Sequence, residues 1–191
     1  MKMKSLNKLS MFVLAGSLFL GACKKDDPEP VNEVEVITKV TATFTNTANS
    51  SEVVTFTYED TDGVGGNAPV ITNGILKKGT TYNLSITVTG EDNEDITAEI
   101  AEEKDEHQIY FGFSQSNVFS SFEYSDKDSK NQPVGLSTRV TTINNSGGGD
   151  LQLILVHEPN KSLNVASSPW IYSPNIGGEQ DFNITFNTTI Q

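Results

Sequence analysis

Residues 82–89 read Tyr82-Asn83-Leu84-Ser85-Ile86-Thr87-Val88-Thr89. Apolar and polar side chains alternate without a break. A helix would need apolar residues three and four apart; period two is the pattern of a strand with one buried face. The same alternation recurs on both sides. Val34, Val36, Val40, Ala42 and Phe44 oppose Glu35, Lys39, Thr41 and Thr43. Val54, Phe56 and Tyr58 alternate with Thr55 and Thr57, and Phe182, Ile184, Phe186 and Ile190 with Asn183, Thr185, Asn187 and Thr189. Further strands are predicted over 107–114, 117–124, 136–144 and 151–157. Glycine-rich stretches that permit positive φ separate them: Asp62-Gly63, Gly65-Gly66-Asn67, Lys78-Gly79, Gly147-Gly148-Gly149-Asp150 and Gly177-Gly178. The expectation is an all-β domain of about eight or nine strands, an antiparallel β-sandwich or a closed β-barrel. No tandem repeat is visible.

One segment departs from period two. Ile96 to Glu106 has Ile96 and Ile100 four apart, is rich in helix formers, and follows the capping candidates Asp92, Asn93 and Asp95. It predicts one short helix crossing between two strands.

The N-terminus has its own logic. Lys2, Lys4 and Lys8 precede an apolar run from Met11 to Leu20, then Leu20-Gly21-Ala22-Cys23. The run is short for a membrane span, which needs about 20 residues, but suits a secretory leader. Leu20 to Cys23 resembles the bacterial lipobox. That resemblance implies cleavage of residues 1–22, acylation of Cys23, and membrane attachment through the lipid. The following Lys24-Lys25-Asp26-Asp27-Pro28-Glu29-Pro30 resembles the export signal of Bacteroidota surface lipoproteins. It implies an outer-membrane, lipid-anchored protein at the cell surface. Residues 23–33 read as lipidated cysteine plus flexible tether, and residues 34–191 as a single β domain.

Composition narrows the function. The net charge is −12; loss of the three leader lysines, with no acid, makes it −15. Such acidity argues against nucleic acid and favours cations. Cys23 is the only cysteine, so the domain has no disulfide and no thiolate chemistry. No Gly-x-Ser-x-Gly elbow, phosphate loop or dinucleotide fingerprint is present, and an enzyme is not expected.

The chain has two histidines, each beside a carboxylate: Glu106-His107 and His157-Glu158. Strand parity puts His107 with Ile109 and Phe111, and His157 with Leu151, Leu153 and Leu155. Both imidazoles therefore face the apolar side at a strand end. If those ends share a rim, the rings converge, with Glu103 one helical turn before His107. Glu102 and Glu106 repeat that spacing. His107, His157, Glu103, Glu106 and Glu158 would then suit Zn, Cu or Ni, or two imidazoles could hold haem iron from both sides. The plainer reading is two hydrogen-bonded rim residues and a solvated acidic helix face. Rings beyond about 10 Å apart would favour it, since metal bonds are about 2 Å long.

Two acidic turns are weaker candidates for calcium. Asp60, Asp62 and Asn67 could supply oxygens around a glycine-rich bend, without the EF-hand spacing. Asp126, Asp128 and Asn131 are similar, with Lys130 among them. Both read first as hairpin turns. Trp170 and Tyr172 in a proline-bounded loop either close the core or offer a stacking surface for sugar.

The stretches 60–88, Glu102 to Phe111 and His157 to Ser162 resemble a family of small Bacteroidota lipoproteins whose members often carry the label of the type 1 periplasmic-binding fold. That label implies a doubly wound α/β protein of about twice this size, which the strand pattern contradicts. The leading functional expectation is a surface lipoprotein that binds a small ligand, a transition metal ion or haem, and passes it to an outer-membrane transporter. The rivals are a structural or adhesive module with no small ligand, and a calcium-stabilised carbohydrate-binding domain using Asp60, Asp62, Trp170 and Tyr172.

Overall fold

Alternating segments bury one face only when a second sheet covers it. The computed structural model describes residues 36–63, 65–113, 118–163 and 172–191, which fall in one compact unit, Val34–Gln191. The leader, Cys23, the tether and Trp170 lie outside the described residues. The strands are β1 (Ile37–Asn46), β2 (Val53–Glu59), β3 (Val70–Thr72), β4 (Ile75–Leu76), β5 (Thr81–Gly90), β6 (His107–Phe113), β7 (Phe119–Tyr124), β8 (Ser137–Thr142), β9 (Gly147–His157) and β10 (Glu179–Ile190). They form a six-stranded sheet in the order β3-β2-β1-β5-β8-β7 and a four-stranded sheet in the order β4-β10-β9-β6. The two pack as a sandwich. The barrel alternative is thereby set aside, because the strands divide between two sheets. A doubly wound organisation is excluded for the described residues.

Pairing is antiparallel except between β10 and β4, which run parallel over two residues. The strands β3 and β4 were not expected: at three and two residues they are too short to show a period. Parity is kept in the long strands. Val40, Ala42 and Phe44 of β1, Leu84, Ile86 and Val88 of β5, and Leu151, Leu153 and Leu155 of β9 are all fully or almost fully buried. Phe56 of the larger sheet meets Phe186 of the smaller edge-to-face, with ring centroids 5.7 Å apart, an arrangement aromatic quadrupoles favour. The opposite face of the four-stranded sheet has its own small core of Tyr110, Ile154, Val156 and Ile176, with Tyr172 packed against it. Tyr172 lies edge-on to Tyr110 at 6.0 Å, so it closes a core.

The helix α1 covers Ile96–Glu102, shorter than its acidic sequence suggested. Asp95 caps it, accepting from the Ala98 N–H, and Ile96 and Ile100 are buried. Thr97 Oγ1 sits 2.8 Å from the Val88 nitrogen and 3.0 Å from its carbonyl oxygen, docking the helix on the end of β5. Residues 103–106 turn and feed β6, so α1 carries the chain from one sheet to the other.

Candidate metal centre

The ends of three strands meet at one pole. His107 opens β6 and pairs directly with His157 at the end of β9, and Glu179 at the start of β10 pairs with His157 on its other side. Cross-strand neighbours hold their side chains close. The two imidazoles stack with centroids 4.8 Å apart and ring planes 20° apart. Both are largely buried, His107 at 12% and His157 at 17% side-chain exposure, so a ligand here is partly shielded from water.

The turn after α1 supplies the acids. The Glu103 carbonyl accepts from the N–H groups of Glu106 (2.8 Å) and His107 (3.2 Å) and lies 3.3 Å from His107 Nδ1. A carbonyl only accepts. A hydrogen bond here requires Nδ1 to be the donor, and in the neutral ring that tautomer would leave Nε2 with its lone pair, as an oriented metal ligand requires. Glu103 Oε2 is 3.8 Å from the same Nδ1. Glu106 Oε2 is 3.9 Å from His157 Nε2. Ligand atoms of Glu106, His157 and Glu158 all lie within 4.8 Å of one another. Four ligands at zinc distances sit about 3.4 Å apart on a tetrahedron, so small rotations of the two exposed glutamates would close the set.

Backbone detail holds this arrangement. Glu158 adopts a φ of 51°, uncommon for a residue with a long side chain. Its N–H donates to the Glu106 carbonyl at 2.6 Å, which fastens the two glutamates' segments together. Lys161 Nζ donates to the Lys104 carbonyl at 2.5 Å and to Asp128 Oδ2 at 3.1 Å. Burial lowers the Lys161 ammonium from its usual range, against the pull of Asp128.

Sequence reading missed Asp181. A register shift between Gln180 and Phe182 interrupts the β10–β9 pairing and brings Asp181 into electrostatic range of both histidines. It keeps an exposed surface, yet enough protein crowds its carboxyl that desolvation raises it above the usual range. The two imidazoles pull it back down. No local pattern announces such a bulge.

The other candidates resolve differently. Asp62 Oδ2 accepts from both the backbone N–H (2.9 Å) and the side-chain amide (2.6 Å) of Asn67. These two contacts, backbone first, hold the Asp62 carboxyl below its usual range. Asn67 therefore presents a donor where calcium needs an oxygen, and the set Asp60, Asp62 and Asn67 does not form an oxygen cage. Asp126 accepts from the N–H groups of Gly135 and Ser137. Asp128 accepts from those of Lys130 and Gln132 as well as from Lys161. That second acidic turn satisfies its own backbone. Tyr172 lies on the outer face of the smaller sheet, which does not suit a shared sugar platform with Asp60 inside the sandwich. Stacked imidazoles from adjacent strands point side by side, whereas axial haem ligands must face each other across the iron.

No family model, no curated protein and no solved structure matches the chain.

Proposed function

We propose that this protein binds a divalent transition metal ion of the zinc class at the strand pole, through His157, Glu106 and Glu158, with His107 Nε2 as the fourth ligand. One observation carries the reading: three ligand atoms from two separate segments gather within 4.8 Å beside a second imidazole stacked on the first. Imidazole and carboxylate together suit Zn2+ and Cu2+, and the acidic surroundings concentrate cations. Glu103 orients His107, and Asp181 adds negative charge at the edge of the site. Cys23 carries a lipid anchor, which places the centre at the bacterial outer membrane, in reach of a transporter able to receive the ion.

The test is a zinc titration of the full chain against a chromophoric chelator. His107→Ala/His157→Ala is expected to weaken binding about a hundredfold or more, since two of four ligands go. Affinity should fall on acidification, as protons compete with the ion for the imidazole and carboxylate ligands. Unchanged affinity in the double variant would remove the site.

A further inference from the structure

Beside the metal centre, a cavity of about 470 Å3 opens at the edge of the sandwich between the end of β2 and the start of β10. Its size is that of a small-molecule site. Ile37, Tyr58, Phe182 and Ile184 give it largely apolar walls, and Asp60 and Asp181 line it as well.

Asp60 is the anomaly. It is 8% exposed, so its carboxyl is almost wholly withdrawn from water. Among the described residues, the side chains that meet its carboxyl are the Tyr58 hydroxyl, at 3.2 Å from Oδ2, and the Asp62 carboxyl, and Oδ1 is buried without a hydrogen-bond partner. Neither Tyr58 nor Asp62 brings a positive charge to it. Among the described residues, the ion pairs are made by other acids: Lys39 holds Glu59 at 2.5 Å, and Lys161 holds Asp128. A buried carboxylate without countercharge is costly. Two features thus meet in one place: a buried carboxyl oxygen with no hydrogen-bond donor among the described residues, and a cavity with largely apolar walls.

We infer that this cavity binds an organic cation, a primary ammonium on an apolar body, with the ammonium against Asp60 and the body among Ile37, Phe182 and Ile184. Asp181 supplies a second negative wall. A bare calcium ion fits less well, because it needs six to eight oxygens and would leave the apolar walls unfilled. The inference does not rest on the metal centre, and the two share only Asp181.

The experiment is calorimetric titration of the full chain in mild detergent with EDTA, using benzylammonium, and benzyl alcohol as the uncharged body of the same shape. Benzylammonium is expected to bind about tenfold or more tightly than the alcohol, the size of effect a charge-assisted hydrogen bond gives. Asp60→Asn should abolish that preference while leaving the alcohol unchanged. Asp181→Asn should reduce it less, and His157→Ala should leave it intact even where zinc binding is lost. Equal binding of both probes, binding of neither, or, in a separate EDTA-free titration, a saturable response to calcium chloride with none to benzylammonium would overturn the inference. The comparison of probes on the unaltered chain decides the matter even if Asp60→Asn fails to fold.

Discussion

Lys161→Met tests how the pole is built. The Lys161 and Asp128 side chains are 5% and 1% exposed, so their ion pair is screened by protein, not by water. A methionine keeps the aliphatic stem and removes the charge. Asp128 then retains its two backbone donors on Oδ1 but loses the countercharge on Oδ2, and the Lys104 carbonyl loses its side-chain donor. Breaking one side of a buried pair costs about 3–5 kcal/mol, most of it from the charge left behind. Against a total stability of about 5–15 kcal/mol for a domain, that is a large fraction. Urea unfolding at pH 7, followed by intrinsic fluorescence, should show a lower midpoint with an unchanged slope. The double variant Lys161→Met/Asp128→Asn should recover a substantial part of the loss, because it removes the stranded charge. The same lysine ties the turn bearing Glu103 and Glu106 to the loop bearing Glu158. Zinc affinity should therefore fall in Lys161→Met though no ligand is touched. A loss under about 1 kcal/mol, the range of an exposed pair, or a double variant with no recovery, would refute the reasoning.

Two further predictions follow from burial and from the leader. Tyr110 and Tyr124 are almost fully buried, and desolvation raises both phenols far above their ordinary value of 10.0. The folded chain keeps those protons where the unfolded chain loses them. Stability should therefore fall as pH rises above about 10, by up to about 1.4 kcal/mol per pH unit for each phenol. The buried Lys161 acts in the opposite sense, so the measurement is a difference. Among the described residues the Tyr110 hydroxyl has no hydrogen-bond partner, and Tyr110→Phe should flatten the alkaline slope by about 1.4 kcal/mol per pH unit at little cost near neutrality; parallel slopes would contradict this. At the other end of the chain, growth with an alkyne-labelled palmitate should tag the protein through Cys23. Cys23→Ser should abolish the tag and release the domain from membranes, and persistent labelling would contradict the anchor.

Much of the fold was legible because a strand writes its buried face at every second residue. Val40 to Phe44, Tyr82 to Val88 and Leu151 to Leu155 needed no knowledge of their partners. The same parity put His107 and His157 on the apolar side. Register was not legible: that the two histidines oppose each other depends on residues 50 apart in sequence finding one alignment out of several. Asp181 was hidden for a related reason, since a bulge is a property of two strands together. Asp128 read as a hairpin-turn residue or a weak calcium candidate and Lys161 gave no signal, because only the packing of the 158–163 segment against the 126–132 turn buries them. The donors that meet the calcium candidates are local. Asp62, Asp126 and Asp128 accept from N–H groups of their own turns, and among the described residues Asp60 does not.

The distribution of irregularities argues for a ligand at this pole. Two of the three register shifts among the described strands, Ile37/Lys39 and Gln180/Phe182, occur here. So does Glu158, the one described residue at positive φ that is neither glycine, aspartate nor asparagine. Asp60, buried without countercharge, lies beside them. Each departure costs stability where it stands, and natural sequences concentrate such costs where function requires them. If the pole were only a rim, neutral side chains would serve better there than Glu103, Glu106, Glu158, Glu179 and Asp181, whose mutual repulsion opposes folding. A bound cation reverses that sign. Zinc should therefore raise the thermal midpoint of the chain by mass action, with an increment that disappears along with zinc affinity in His107→Ala/His157→Ala.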